Sequence, residues 1–158
     1  MAPPLLFDLS QIDLNGTPLF DRDAICEVNP QRHEMQQLDG ILWYDKDKAQ
    51  ILGYKDVTNN EFWVRGHVPD RPLMPGVMMM EAGAQLLSFF IRKIYGEKAF
   101  VGLGGIESAK FRLVVEPGQR LYLLGHITEF KSRKHAFEVQ GIVKGTLVFE
   151  AVVIGIRI

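Results

Sequence analysis

The chain has 158 residues, 47% of them hydrophobic and 23% charged, and a formal net charge of −1. That is the balance of one folded domain with a substantial core, too short for two and too apolar for a disordered chain. Near-neutrality argues against broad electrostatic binding to nucleic acid or to an anionic membrane, and a single cysteine, Cys26, excludes an intrachain disulfide and a cysteine-based metal site.

Residues 1–22 are punctuated by Pro, Asp, Asn and Gly and read as an N-terminal extension, with short strand pieces expected at Leu5–Phe7 and Ile12–Leu14. They contain no basic segment followed by a long apolar run, so they do not read as a signal peptide, and a cytoplasmic location is expected. Residues 23–158 read as a single domain. Asp23 is placed to cap a short helix, Ala24–Val28, that Pro30 would end. Ile41–Tyr44 and Ala49–Val57 read as strands joined across the polar turn at 45–48, and Phe62–Arg65 as a short strand.

Next comes "GHVPDRPLMPGVMMMEAGAQ", residues 66–85. Proline is favoured at the first helical position, where its missing N–H would be unpaired anyway, so Pro75 marks a helix start. Gly76 lets a ligand approach the first free N–H groups, which favour a negatively charged or carbonyl oxygen. The helix should run over Val77–Tyr95. Glu81, Gln85 and Ser88 interrupt its apolar run and Arg92-Lys93 closes it, which makes it a core helix rather than a membrane span. Glu81, Gln85, Ser88 and Arg92 lie on one stripe, which is either the solvated face of an amphipathic helix or a functional one; spacing leaves both open. His67 is open in the same way. Together, His67 and Glu81 suit general acid–base chemistry beside an oxyanion site, although spacing does not show that they meet.

Beyond the helix, residues 99–115, 120–131, 135–145 and 146–158 read as strands separated by turns at Glu116–Gln119, Lys131–His135 and Lys144–Gly145. The four histidines show no zinc-ligand spacing. Clustered strands around one apolar helix predict an α+β domain, an antiparallel sheet curled about a long central helix.

The motif Gly66-His67-Val68-Pro69, Pro72-Leu73-Met74-Pro75-Gly76-Val77, Glu81-Ala82 and Ala84-Gln85 resembles that of the FabZ group of β-hydroxyacyl-acyl-carrier-protein dehydratases in the hotdog-fold superfamily. "SAKFRLVVEPGQRL" resembles a downstream segment of the same family, and "AICEVNPQR" with Asp39 an upstream one, so the likeness spans about residues 23–158. It implies a hotdog fold and conversion of a (3R)-hydroxyacyl thioester of acyl carrier protein to the trans-2-enoyl thioester, with no metal or redox cofactor. By position, His67 would be the base on the α-carbon. Glu81, supplied by the neighbouring subunit of a homodimer, would protonate the departing hydroxyl; trimers of such dimers occur in the family. Gly76 would hold charge developing on the thioester oxygen, Gln85 would orient Glu81, and Val68 and Val77 would adjoin the substrate.

The chain departs from the family at His33–Leu38, where a polar run replaces an apolar one, at Val68 for Phe, at Asp70 for Gly, and at Gln119 for Asp. Arg65, Arg71, Arg92, Lys93, Lys98, Lys110 and Arg112 offer candidates for docking an acidic carrier protein. A hotdog thioesterase and a non-catalytic acyl-binding protein are the alternatives.

Overall fold

A computed structural model describes all 158 residues. Its elements are a short helix α1 (Arg22–Cys26), strands β1 (Gly40–Asp45) and β2 (Gln50–Asp56), the long helix α2 (Gly76–Phe89), and strands β3 (Val101–Phe111), β4 (Arg120–Phe130), β5 (Lys134–Val143) and β6 (Thr146–Arg157). The six strands form one antiparallel sheet in the order β1-β2-β4-β5-β6-β3. Its inner face wraps α2, whose Met79, Met80, Ala82, Leu86, Leu87 and Phe89 are buried. This is the expected hotdog architecture, and no helix is long and apolar enough to cross a membrane.

Side chains alternate across a strand, so the sheet has a second, outer apolar face. Leu42, Leu52, Tyr54, Leu124, Ile142 and Leu147 form a cluster there, and Leu6, Phe7, Leu9, Ile12 and Leu14 pack over it. The N-terminal extension is therefore a strap rather than a pair of strands: Leu5–Phe7 and Ile12–Leu14 are irregular. Its backbone, interrupted by Pro3, Pro4 and Pro18, takes no part in a ladder before Phe20, which bridges to Ile41 on the β1 edge. Side chains hold it instead. The Leu6 N–H donates to Gln140 Oε1 at 2.8 Å, Gln140 Nε2 to the Pro4 carbonyl at 3.0 Å, and the Tyr122 hydroxyl to the Leu14 carbonyl at 3.1 Å.

Other local expectations need correction. Asp21, not Asp23, caps α1, its carboxylate accepting from the Ala24 N–H at 2.9 Å, which leaves Asp23 in the first turn where an acid complements the helix dipole. Phe62–Arg65 is a chain of turns closed by hydrogen bonds from Val64, Gly66 and His67 back to Glu61 and Trp63. Pro75 is the N-cap of α2, with an extended backbone, and Gly76 is the first helical residue. The helix does not stay α to Tyr95: Phe90–Ile94 form a π turn, and Phe89, Phe90 and Ile91 are buried in succession where it begins.

Two of the departures from the family pattern have local explanations. Asp70 has φ of 67°, the left-handed region glycine enters freely and Asp tolerates. Gln119 closes the Pro117-Gly118 turn by accepting the Glu116 N–H at 2.9 Å.

Candidate active site

His67 leaves the turn segment before α2 with an exposed side chain. Its backbone N–H donates to the Trp63 carbonyl at 2.9 Å, and its ring Nδ1 lies 3.0 Å from the Leu73 carbonyl oxygen. A carbonyl can only accept, so Nδ1 carries the hydrogen of that bond, and in the neutral ring Nε2 is then the nitrogen with the lone pair. The ring is thus oriented by backbone from both sides of the Pro69–Pro72 loop.

A few residues on, the first turn of α2 presents two free donors. Neither the Gly76 nor the Val77 N–H has an acceptor within the chain, as geometry dictates for the opening of a helix. The missing side chain of Gly76 matters because the space is taken: a Cβ there would stand 2.9 Å from Cε1 of Phe111. His67, Leu73, Gly76, Val77 and Phe111 line one cavity.

Glu81 lies on the second turn of α2 and is half-buried. Gln85, one turn further, is 1% exposed. Its Nε2 donates to Glu81 Oε1 at 2.7 Å and to the Met35 carbonyl at 2.6 Å, while its Oε1 accepts the Gln37 N–H at 2.9 Å. The Gln85 backbone carbonyl also accepts from Asn29 Nδ2 at 2.9 Å. At Gln85 the polar stripe is therefore no solvated face: it lies beneath the single-turn 3-10 helix at His33–Met35 and Gln37.

That turn accounts for the polar run at 33–38. Gln36 and Gln37 are buried, Gln36 exchanging hydrogen bonds with Arg22 and Gln37 donating its side-chain amide to the Glu34 carbonyl at 2.7 Å. Arg22 also meets Asp39 at 2.7 Å, and the buried Lys55 pairs with Glu61 at 2.9 Å and with Asp39 at 3.7 Å. Burial pushes the Asp39 carboxyl above the usual carboxylate range, with Lys55 and Arg22 opposing the shift.

Within one chain His67 and Glu81 share no cavity. Glu81 and Gln85 open on a second one, between α2 and strands β3 and β6, where Ser88, Phe100 and Gly155 are further lining residues. Val68 is half-buried and lines neither. Sequence reasoning missed Asn29, Met35 and Gln37 as holders of Gln85, and Phe111 as a wall beside Gly76. The one available signal was a pair of glutamines, Gln36 and Gln37, a few residues before the apolar run of β1.

A six-stranded antiparallel sheet curled around one helix, with a histidine before the helix and a carboxylate on its second turn, defines a hotdog-fold protein of the dehydratase type. The chain belongs to the FabA-like family, whose domain matches residues 29–152. It is 36% identical over 135 residues to the 3-hydroxyacyl-[acyl-carrier-protein] dehydratase FabZ of Rickettsia felis, covering 84% of this chain and 92% of that protein. The FabZ of Protochlamydia amoebophila is 33% identical over 142 residues, covering 89% and 92% respectively. Among solved structures, a chain of the dehydratase heterocomplex ApeI:P from Xenorhabdus doucetiae superposes with a TM-score of 0.71 at 14% identity, covering 85% of this chain and 90% of that one.

Proposed function

We propose that the protein is a 3-hydroxyacyl-[acyl-carrier-protein] dehydratase, a hydro-lyase of fatty acid biosynthesis. The observation that carries this reading is one motif that supplies a base with its lone pair free, two unpaired N–H donors, and a carboxylate held by a buried amide. In the reaction, His67 Nε2 removes a proton from the α-carbon of the thioester. Charge moves onto the thioester oxygen, where the Gly76 and Val77 N–H groups receive it. The β-carbon–oxygen bond breaks, Glu81 delivers a proton to the departing hydroxyl, and water leaves behind an α,β double bond.

The separation of His67 and Glu81 into two cavities supports a site completed by a second copy of the chain. β3 is an eleven-residue edge strand paired on one side only, with Leu103 and Ile106 about half exposed. Edge strands of that length and composition are managed by pairing. β3 against the β3 of a partner gives a two-fold dimer in which each site takes His67 from one copy and Glu81 from the other. Arg65, Arg71 and Lys110 are exposed beside residues that wall the His67 cavity and suit an acidic carrier protein.

Mass spectrometry of a 3-hydroxyacyl-carrier-protein thioester should register loss of one water with wild type and none with His67→Ala or Glu81→Ala. Mixing the two inactive variants after reversible dissociation should restore about a quarter of wild-type activity, since half the dimers are hybrids with one intact site. Failure of the mixture to recover would place both residues of a site in one chain. Release of free acid from the thioester would replace the dehydratase by a thioesterase.

A further inference from the structure

His67 hangs from a segment with almost no polar tie to the rest of the molecule. Every hydrogen bond made by residues 58–73 stays within them, in the turns at Thr58–Glu61, Glu61–Val64 and Trp63–His67 and in the bond from the His67 ring to Leu73. The chain is fixed just outside the segment, where the Val57 N–H donates to the Gln119 carbonyl at 3.0 Å and the Met74 N–H to the Val115 carbonyl at 2.7 Å. Between those points Trp63 is buried in the core. One polar contact reaches outward: Glu61 Oε1 lies 2.9 Å from Nζ of Lys55.

Lys55 is placed to act as an anchor. It lies on β2, which is paired on both sides in the sheet, and its side chain is 3% exposed. A buried ammonium without a counter-charge is costly, and a buried ion pair adds little stability over apolar residues of the same volume. Its effect here is geometric. The Glu61 carboxylate that meets Lys55 also accepts the Thr58 N–H at 3.2 Å, and the Glu61 carbonyl accepts the Val64 N–H at 3.1 Å. The next turn overlaps this one, His67 donating to Trp63 at 2.9 Å, so the place of Glu61 is carried to His67. We propose that Lys55 and Glu61 are positioning residues for His67, fixing where Nε2 stands without touching substrate. The Glu81 side does not depend on the pair. Lys55 approaches Asp39 only to 3.7 Å, and Asp39 also holds Arg22 at 2.7 Å and the Asp56 N–H at 2.8 Å. The inference rests on the reading above, in which His67 is the base.

Lys55→Met combined with Glu61→Gln removes both charges together, and the glutamine keeps an acceptor for the Thr58 N–H. In the full-length protein, the ring resonances of His67, identified by their loss in His67→Ala, should shift or broaden in this double variant. The Gln85 side-chain amide should stay in place, whereas a general loosening of the fold would move both. Glu61→Gln alone carries the same test with less disturbance of the fold and a smaller shift. In steady-state assays kcat of the double variant should fall about ten- to a hundred-fold, the effect of a base misplaced by an ångström or less, with KM changed less than about two-fold. The mixing experiment separates the two ends of the site. The double substitution should lower the recovered activity when it is placed in the Glu81→Ala chain, which supplies His67. In the His67→Ala chain, which supplies Glu81, it should cause no further loss. An unmoved His67 ring, a Gln85 amide that moves with it, a wild-type kcat, or equal losses in the two mixtures overturns the proposal. If wild type releases no water or the parent mixture does not recover, the reading above falls, and the resonances alone decide whether Lys55 and Glu61 position His67.

Discussion

At the residue scale the chemistry depends on groups held by partners that do not react. Gln85 is the clearest case, because both of its amide hydrogens and its carbonyl oxygen are engaged. It can only donate to Glu81, so it occupies Oε1 and leaves Oε2 as the oxygen free for the proton transfer proposed above. We expect Gln85→Leu to lower kcat about ten- to a hundred-fold with a smaller change in KM, a split that stopped-flow and steady-state assays can read. Gln85→Glu sets a second carboxyl against Glu81. Like charges resist joint ionisation, so the alkaline limb of the pH–rate profile, where the proposed acid loses its proton, should move upward. Gly76→Ala tests the other end of the site. The added methyl meets the Phe111 ring, which is half exposed and able to give way. A loss of about ten-fold in kcat/KM is expected, with the melting temperature little changed.

At the scale of elements, the N-terminal strap and β3 are two solutions to one difficulty, apolar sheet surface with nothing of its own to cover it. The strap solves it within the chain. Five of its apolar side chains close over the outer cluster, Phe7 packs against Trp43 with ring centroids 5.2 Å apart, and Leu19 and Phe20 engage Ile41. Removing residues 2–18 should lower the melting temperature by about 5 °C or more and expose a surface that binds a hydrophobic dye and self-associates. A truncated protein with unaltered melting and no added dye binding would show that the strap contributes nothing to stability. β3, by contrast, has no segment of this chain over its free edge, and the remedy proposed above is a second copy.

At the scale of the whole molecule, one buried group ties stability to pH. His135 is fully buried between β4 and β6, stacked on Phe130 at 4.4 Å, and neither ring nitrogen has a partner. Burial lowers its pKa; Glu97 opposes that shift, and the Arg157 charge adds to it. The unfolded chain therefore binds a proton at a higher pH than the folded one. Stability from this residue is full above the unfolded value near 6.5 and is lost as pH falls through the lower folded value. Thermal melts at about pH 8 and about pH 5.5 should differ more for wild type than for His135→Phe, which keeps the stacking and removes the proton site. Equal pH dependence in the two proteins would assign the acid sensitivity elsewhere.

The sequence by itself determined the class of fold, the position of the central helix and the four C-terminal strands, and it marked out the residues proposed to carry the chemistry. Those features follow from local signals: a proline and a glycine at a helix start, an uninterrupted apolar run, and turns punctuated by Gly and Pro. The motif's resemblance to one enzyme family supplied the role of each residue, since spacing alone left His67 and the polar stripe open. Tertiary structure decided what depends on groups far apart in the chain. Gln85 faces a buried turn rather than water because Gln37, 48 residues earlier, supplies the N–H that its oxygen accepts. The N-terminal segment is a strap because β4 and β5, more than a hundred residues away, offer Tyr122 and Gln140 to hold it. His67 and Glu81, fourteen residues apart, open on separate cavities because the helix start turns one side chain toward Phe111 and the second turn points the other toward β3 and β6. Periodicity reports which face of an element is apolar; it does not report what is packed against the polar one.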